Sequence, residues 1–148
     1  MARPLAAAVL ALILAGCKAE REPVPAACLR AAEIVRALER APQAVTLADG
    51  TRLSTCVRRA RDDGELQALG LSLTTAADTL RARAASDPAA AAGLGYLAGA
   101  VRAGANANQG LASELTRRID NASALGDGAA PAARAALARG LRAGTGSG

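Results

Sequence analysis

Residues 65–85 read ELQALGLSLTTAADTLRARAA, and their spacing decides the fold class. Leu66, Leu69, Leu73, Ala76, Leu80 and Arg83 advance alternately by three and four residues, which lines them up along one stripe of a helix. Only the last is charged, so the stripe predicts a seam buried against other helices. Just upstream, Asp62-Asp63-Gly64-Glu65 sets an aspartate three residues before a glutamate. Side-chain oxygens so placed accept from the amides that a first helical turn leaves unpaired, and acids suit the positive end of the helix dipole. Two neighbouring acids with no third ligand type make a poor cation cage. Downstream, Ser86-Asp87-Pro88 ends this helix and starts the next, with Asp87 as N-cap and Pro88 at the first helical position.

From Pro88 onward, Leu94, Ala98, Val101, Ala105, Asn108, Ala112, Leu115, Ile119 and Ala122 keep the same alternation of four and three. The unbroken phase fits one helix of ~30 residues or two nearly collinear ones, since Gly104, Asn106, Asn108 and Gly110 are poor helix formers. Asn108 on the seam would need a buried hydrogen-bond partner. Gly95 and Gly99 form G-x-x-x-G, extended by Ala91 and Ala103. The uncharged window around them, residues 88–101, is too short and too weakly apolar to span a bilayer. This small-residue face admits two roles: close helix approach within the domain, or docking of a partner or second copy.

Before residue 62, Cys28, Ala31, Val35 and Leu38 share one face and predict a helix over residues 26–40, closed by Ala41-Pro42. In the connection that follows, Asp49-Gly50 is a turn signal, and Val45, Leu47 and Leu53 are expected to plug the core rather than form an isolated hairpin. Ser54 is the expected N-cap of a short helix carrying Cys56, Val57 and Ala60. Residues 123–148 are rich in Ala, Gly and Arg; with only Leu137 and Leu141 to bury after Pro131, they are expected to form a low-complexity, solvated tail. The expected fold is all-α: a small antiparallel bundle of three to five helices over residues 27–122 with one disulfide.

The N-terminus specifies an address. Arg3 gives a positive start, residues 5–15 are eleven uncharged apolar residues, and Leu14-Ala15-Gly16-Cys17 closes that run. Such a core fits a signal peptide and falls short of a spanning helix. The tetrapeptide resembles the lipobox of bacterial lipoproteins. That resemblance, confined to residues 1–17, implies removal of residues 1–16 and acylation of Cys17, with membrane attachment through its lipid. Residues 17–26, with Pro23 and Pro25, are then an extended tether. The implied location is the bacterial cell envelope: the outer membrane in a diderm cell, for which Lys18 speaks, or the outer leaflet of the cell membrane in a monoderm one. With Cys17 in lipid, Cys28 and Cys56 are the two cysteines left, and an exported compartment permits their disulfide.

Composition narrows the function classes. The 148 residues include no His, Trp or Phe and a single aromatic, Tyr96. Histidine acid–base chemistry and histidine metal ligation are thereby absent. Neither a cofactor nor a metal is expected. From Cys17 on, seventeen basic residues face thirteen acids, a net of +4 with no aromatics among the arginines, which is no nucleic-acid footprint. The expectation is a non-catalytic interaction or structural module with an envelope protein as possible partner. A lipid or apolar-ligand carrier is the alternative. A hydrolase would rest on carboxylates alone, drawn from Glu33, Asp62, Asp63, Glu65, Asp78 and Glu114.

Overall fold

The structure, a computed structural model, describes residues 22–107 and 112–148. The acylation site Cys17 and the seam residue Asn108 lie outside the described residues. A 3-10 turn over Ala26–Leu29 leads into α1 (Ala31–Leu38), α2 (Leu53–Arg59), α3 (Asp63–Ala84), α4 (Pro88–Ala105), α5 (Ser113–Ser123) and α6 (Pro131–Ser147). No strand occurs among the described residues. The all-α bundle is as the periodicity predicts.

Local signals place most helix starts. Asp62 accepts from the Glu65 amide at 2.9 Å while Glu65 accepts from the Arg61 amide at 2.8 Å, a reciprocal pair that opens α3. Leu69, Leu73, Ala76 and Leu80 of the predicted seam are buried and Leu66 is half-buried, while Arg83 is exposed and the neighbouring Ala84 is buried in its place. Asp87 accepts from the Ala89 amide at 2.9 Å, and Pro88 stands at the start of α4. Val45, Leu47 and Leu53 plug the core from the α1–α2 connection, which turns at Asp49-Gly50. Cys28 and Cys56 are joined, with Cα atoms 5.8 Å apart and both side chains fully buried.

Three expectations are corrected and one open alternative is resolved. The first helix is broken at Arg30, whose extended backbone separates the 3-10 turn from α1. α2 starts at Leu53 without a side-chain cap; Ser54 is buried within it. Of the two arrangements open for residues 88–122, the structure has two helices, the first ending where the poor helix formers begin. The third correction concerns the tail. Residues 131–147 form α6, which makes the most extensive helix–helix contact in the molecule, against α4. The domain therefore continues past residue 122 to the end of α6.

The α4–α6 contact explains why a chain so poor in large apolar residues there still packs. A Cβ built on Gly95 or Gly99 would fall within 3.0 Å of the carbonyl oxygen of Leu137 or Leu141. Conversely, a Cβ on Gly140 or Gly144 would meet the carbonyl of Ala92 or Tyr96. Both helices present glycine to the other's backbone, so the backbones touch directly, with Cα–H groups facing carbonyl oxygens. Ala92 with Gly140, Tyr96 with Gly144 and Ala100 with Gly148 keep one offset, so these two helices run parallel, unlike the hairpin-joined α3 and α4. Burial spent on the two leucines, half-buried Leu137 and Leu141, understates this interface because most of it is backbone.

This geometry separates two superficially similar substitutions. Gly144→Ala drives a methyl into the Tyr96 backbone and is expected to destabilise by about 1–3 kcal/mol. Gly146→Ala meets nothing within 4 Å and is expected to stabilise α6 by about 0.5–1 kcal/mol. Urea denaturation of both variants, giving shifts of opposite sign, is the check.

Candidate interaction surface

Ala91, Gly95, Gly99 and Ala103 were candidates for either internal packing or a partner face. Ala91, Gly95 and Gly99 are buried, and the two glycines are occupied by α6; Ala103 remains half-exposed. The described fold therefore uses this stripe internally. At its centre sits Tyr96, fully buried, whose hydroxyl accepts from the Val45 amide at 3.0 Å and lies 3.2 Å from Ser147 Oγ. One phenol thus joins the α1–α2 connection, α4 and the last turn of α6. Nearby, Ser54 Oγ donates to the Gly148 carbonyl and accepts from Arg58 at 3.2 Å. Among the described residues no buried side-chain nitrogen or oxygen lacks a partner.

The open surface lies elsewhere, in a groove of about 700 Å³ between α3 and α5. Leu66, Gly70, Leu71 and Thr74 line it from α3, and Leu115 and Arg118 from α5. Leu71 is 71 % exposed, more than any other large apolar side chain among the described residues. Its sequence signal is an apolar residue two positions after the seam residue Leu69, on the opposite face of the helix. Helical periodicity marks only the buried stripe, and Leu71 lies off it. An apolar floor beside charged side chains suits an apolar group carried by a polar neighbour.

Of the candidate acids, Asp63 and Glu114 both line this groove, one from α3 and one from α5, while the other four lie away from it. Glu33 pairs with Arg30 at 2.6 Å and accepts from the Ala48 amide at 3.2 Å. Asp62 and Glu65 serve the start of α3, and Asp78 stands exposed on its outer face. Glu114, at the groove rim, accepts from Arg117 and Arg118 at 2.7–2.8 Å. Those hydrogen bonds hold its carboxyl far below the usual value of 4.5, at about 2. Among the described residues no three Cys, Asp or Glu side chains gather as metal ligands, and no helix is long and apolar enough to cross a membrane.

Two outcomes follow. Tyr96→Phe leaves the buried Val45 amide without its acceptor and is expected to cost about 1–3 kcal/mol in urea denaturation. Because the Glu114 pKa is lowered on folding, its ion pairs persist above the unfolded carboxyl value and are lost as pH falls through about 2. A carboxyl NMR titration is expected to show a Glu114 midpoint near 2, returning toward 4.5 in R117Q/R118Q.

Comparison with protein-family models, with curated proteins and with solved structures finds no match to this chain.

Proposed function

We propose that the protein is a lipid-anchored lipoprotein of the bacterial cell envelope, and that its helical domain is a non-catalytic interaction or structural module. The observation that carries this reading is Leu14-Ala15-Gly16-Cys17 at the end of the apolar core that begins at Leu5. The fully buried Cys28–Cys56 bridge supports it, since structural disulfides persist in exported rather than cytosolic compartments. Closing the chain between them contributes about 3–4 kcal/mol in the chain-entropy account, a useful staple for so alanine-rich a core. Glu33, Asp62 and Asp78 lie apart in local roles, and Glu114, which shares the groove with Asp63, is engaged by Arg117 and Arg118; this favours binding over carboxylate catalysis.

The alternative of an apolar-ligand carrier draws on the α3–α5 groove, and the two readings differ in what Leu71 meets. In cells, a photocrosslinker at position 71 is expected to give a reproducible, identifiable envelope protein; capture of lipid alone would favour the carrier. The address itself is tested by intact mass of the full chain made in a bacterium. The expected mass lacks residues 1–16 and carries acyl chains on Cys17, both changes vanishing in Cys17→Ser. An uncleaved, unacylated chain sinks the lipoprotein reading.

A further inference from the structure

Charge is sorted between the helices. α2, α4 and α6 contain no Asp or Glu, yet together carry Arg58, Arg59, Arg102, Arg134, Arg139 and Arg142. The helical acids stand on the other three: Glu33 on α1, Asp63, Glu65 and Asp78 on α3, and Glu114 and Asp120 on α5. Two of the six arginines are neutralised from outside their own helices, Arg59 by Glu22 and Arg102 by Asp120. The other four are exposed and form no ion pair with a described residue.

These four are neighbours along one strip. Arg134, Arg139 and Arg142 lie on the exposed side of α6, opposite the small residues that meet α4. Arg58 continues the strip at the far end of α6, because it donates to Ser54 Oγ, which donates to the Gly148 carbonyl. At a rise of ~1.5 Å per residue the seventeen residues of α6 make the strip about 25 Å long. Arg52, exposed just ahead of α2, adds to the same end.

The incoming chain is fastened to this part of the molecule. Cys28 is bonded to Cys56 of α2, and Glu22 pairs with Arg59 of α2. Only four residues separate Cys17 from Glu22, and the five steps between them reach at most ~17 Å. On the proposed acylation of Cys17, on which this inference rests for its geometry, the lipid anchor would therefore enter the bilayer beside α2. We propose that the α2–α6 strip is a membrane-facing surface that engages the phosphates of anionic lipid headgroups. Guanidinium groups bind phosphate oxygens in pairs, and each basic side chain near an anionic surface adds to the attraction. The acid-bearing helices α3 and α5, with their groove, are turned toward other molecules.

The test separates this surface from the anchor. The full chain carrying Cys17→Ser, which cannot be acylated, is partitioned onto vesicles of phosphatidylcholine alone and of an equal phosphatidylcholine–phosphatidylglycerol mixture. Binding to the anionic vesicles is expected to be stronger and to weaken with salt. R134Q/R139Q/R142Q is expected to lower it roughly 100-fold. The matched variant R36Q/R81Q/R83Q, which removes equal charge from exposed positions of α1 and α3, is expected to leave it nearly unchanged. All three proteins share residues 1–16, so the contrast reads the arginines, and circular dichroism confirms the fold of each.

Equal losses in both triple variants would reduce the effect to net charge and overturn the proposal. So would equal binding to the two vesicle types, or capture by soluble polyphosphate without preference for anionic vesicles. Acylation is read separately from the intact mass of the Cys17 chain. A missing acyl group with intact vesicle preference fails the anchor alone; a present acyl group without that preference fails the surface alone.

Discussion

Everything in this fold depends on α4 being thin. Thirteen of its eighteen residues are buried, and it touches each of the other five helices. A helix of ordinary girth would hold so many neighbours at 8–10 Å separations and need large side chains to fill the space between. Here alanine and glycine remove the spacers, and neighbouring backbones close in. Gly93 faces the Leu38 carbonyl from α1, Gly104 faces Ser54 and Val57 from α2, and Gly95 and Gly99 face α6. The core has one aromatic, Tyr96, and sets its Leu, Ile and Val side chains among many alanines, so that little volume is left to fill around α4. Dispersion between many backbone atoms at short range replaces the burial of bulky side chains.

That arrangement has a consequence for interaction. A small-residue stripe is the feature that would suggest a helix-docking face, yet its glycines are consumed by the protein's own C-terminal helix. What remains accessible differs in character on the two sides of α4. The α3–α5 side carries acids and a groove with an exposed leucine, whereas helices α2 and α6 themselves carry arginines and no acid. The N-terminal segment is fastened to the latter by the Cys28–Cys56 bridge. A chain anchored there would present two chemically distinct faces, one toward the lipid to which it is tied and one away from it.

Residues that act within a turn or two of themselves were legible before any tertiary structure. Asp62 with Glu65, Asp87 with Pro88, and the Leu69–Leu73–Leu80 seam needed only helical spacing and the unpaired amides of a first turn. The pairing of Cys28 with Cys56 followed once Cys17 was set aside. Ser54 was misjudged because its hydroxyl serves Gly148, ninety-four residues away, rather than its own helix. Leu71 was passed over because an apolar residue off the seam signals nothing until the neighbouring helix is placed.

The tail marks the boundary between the two kinds of information. Alanine, two leucines and three internal glycines are poor grounds for an isolated helix, and residues 131–147 considered alone justify a solvated segment. The sequence by itself determined the address motif, the helical class, the caps and the disulfide pair, because these rest on local chemistry or on counting. Only the tertiary structure decided that α6 exists, that it runs parallel to α4, and that the arginines fall on one side. Glycine contributes nothing to a hydrophobic pattern; its value appears only when a second backbone arrives to occupy the space its missing side chain leaves.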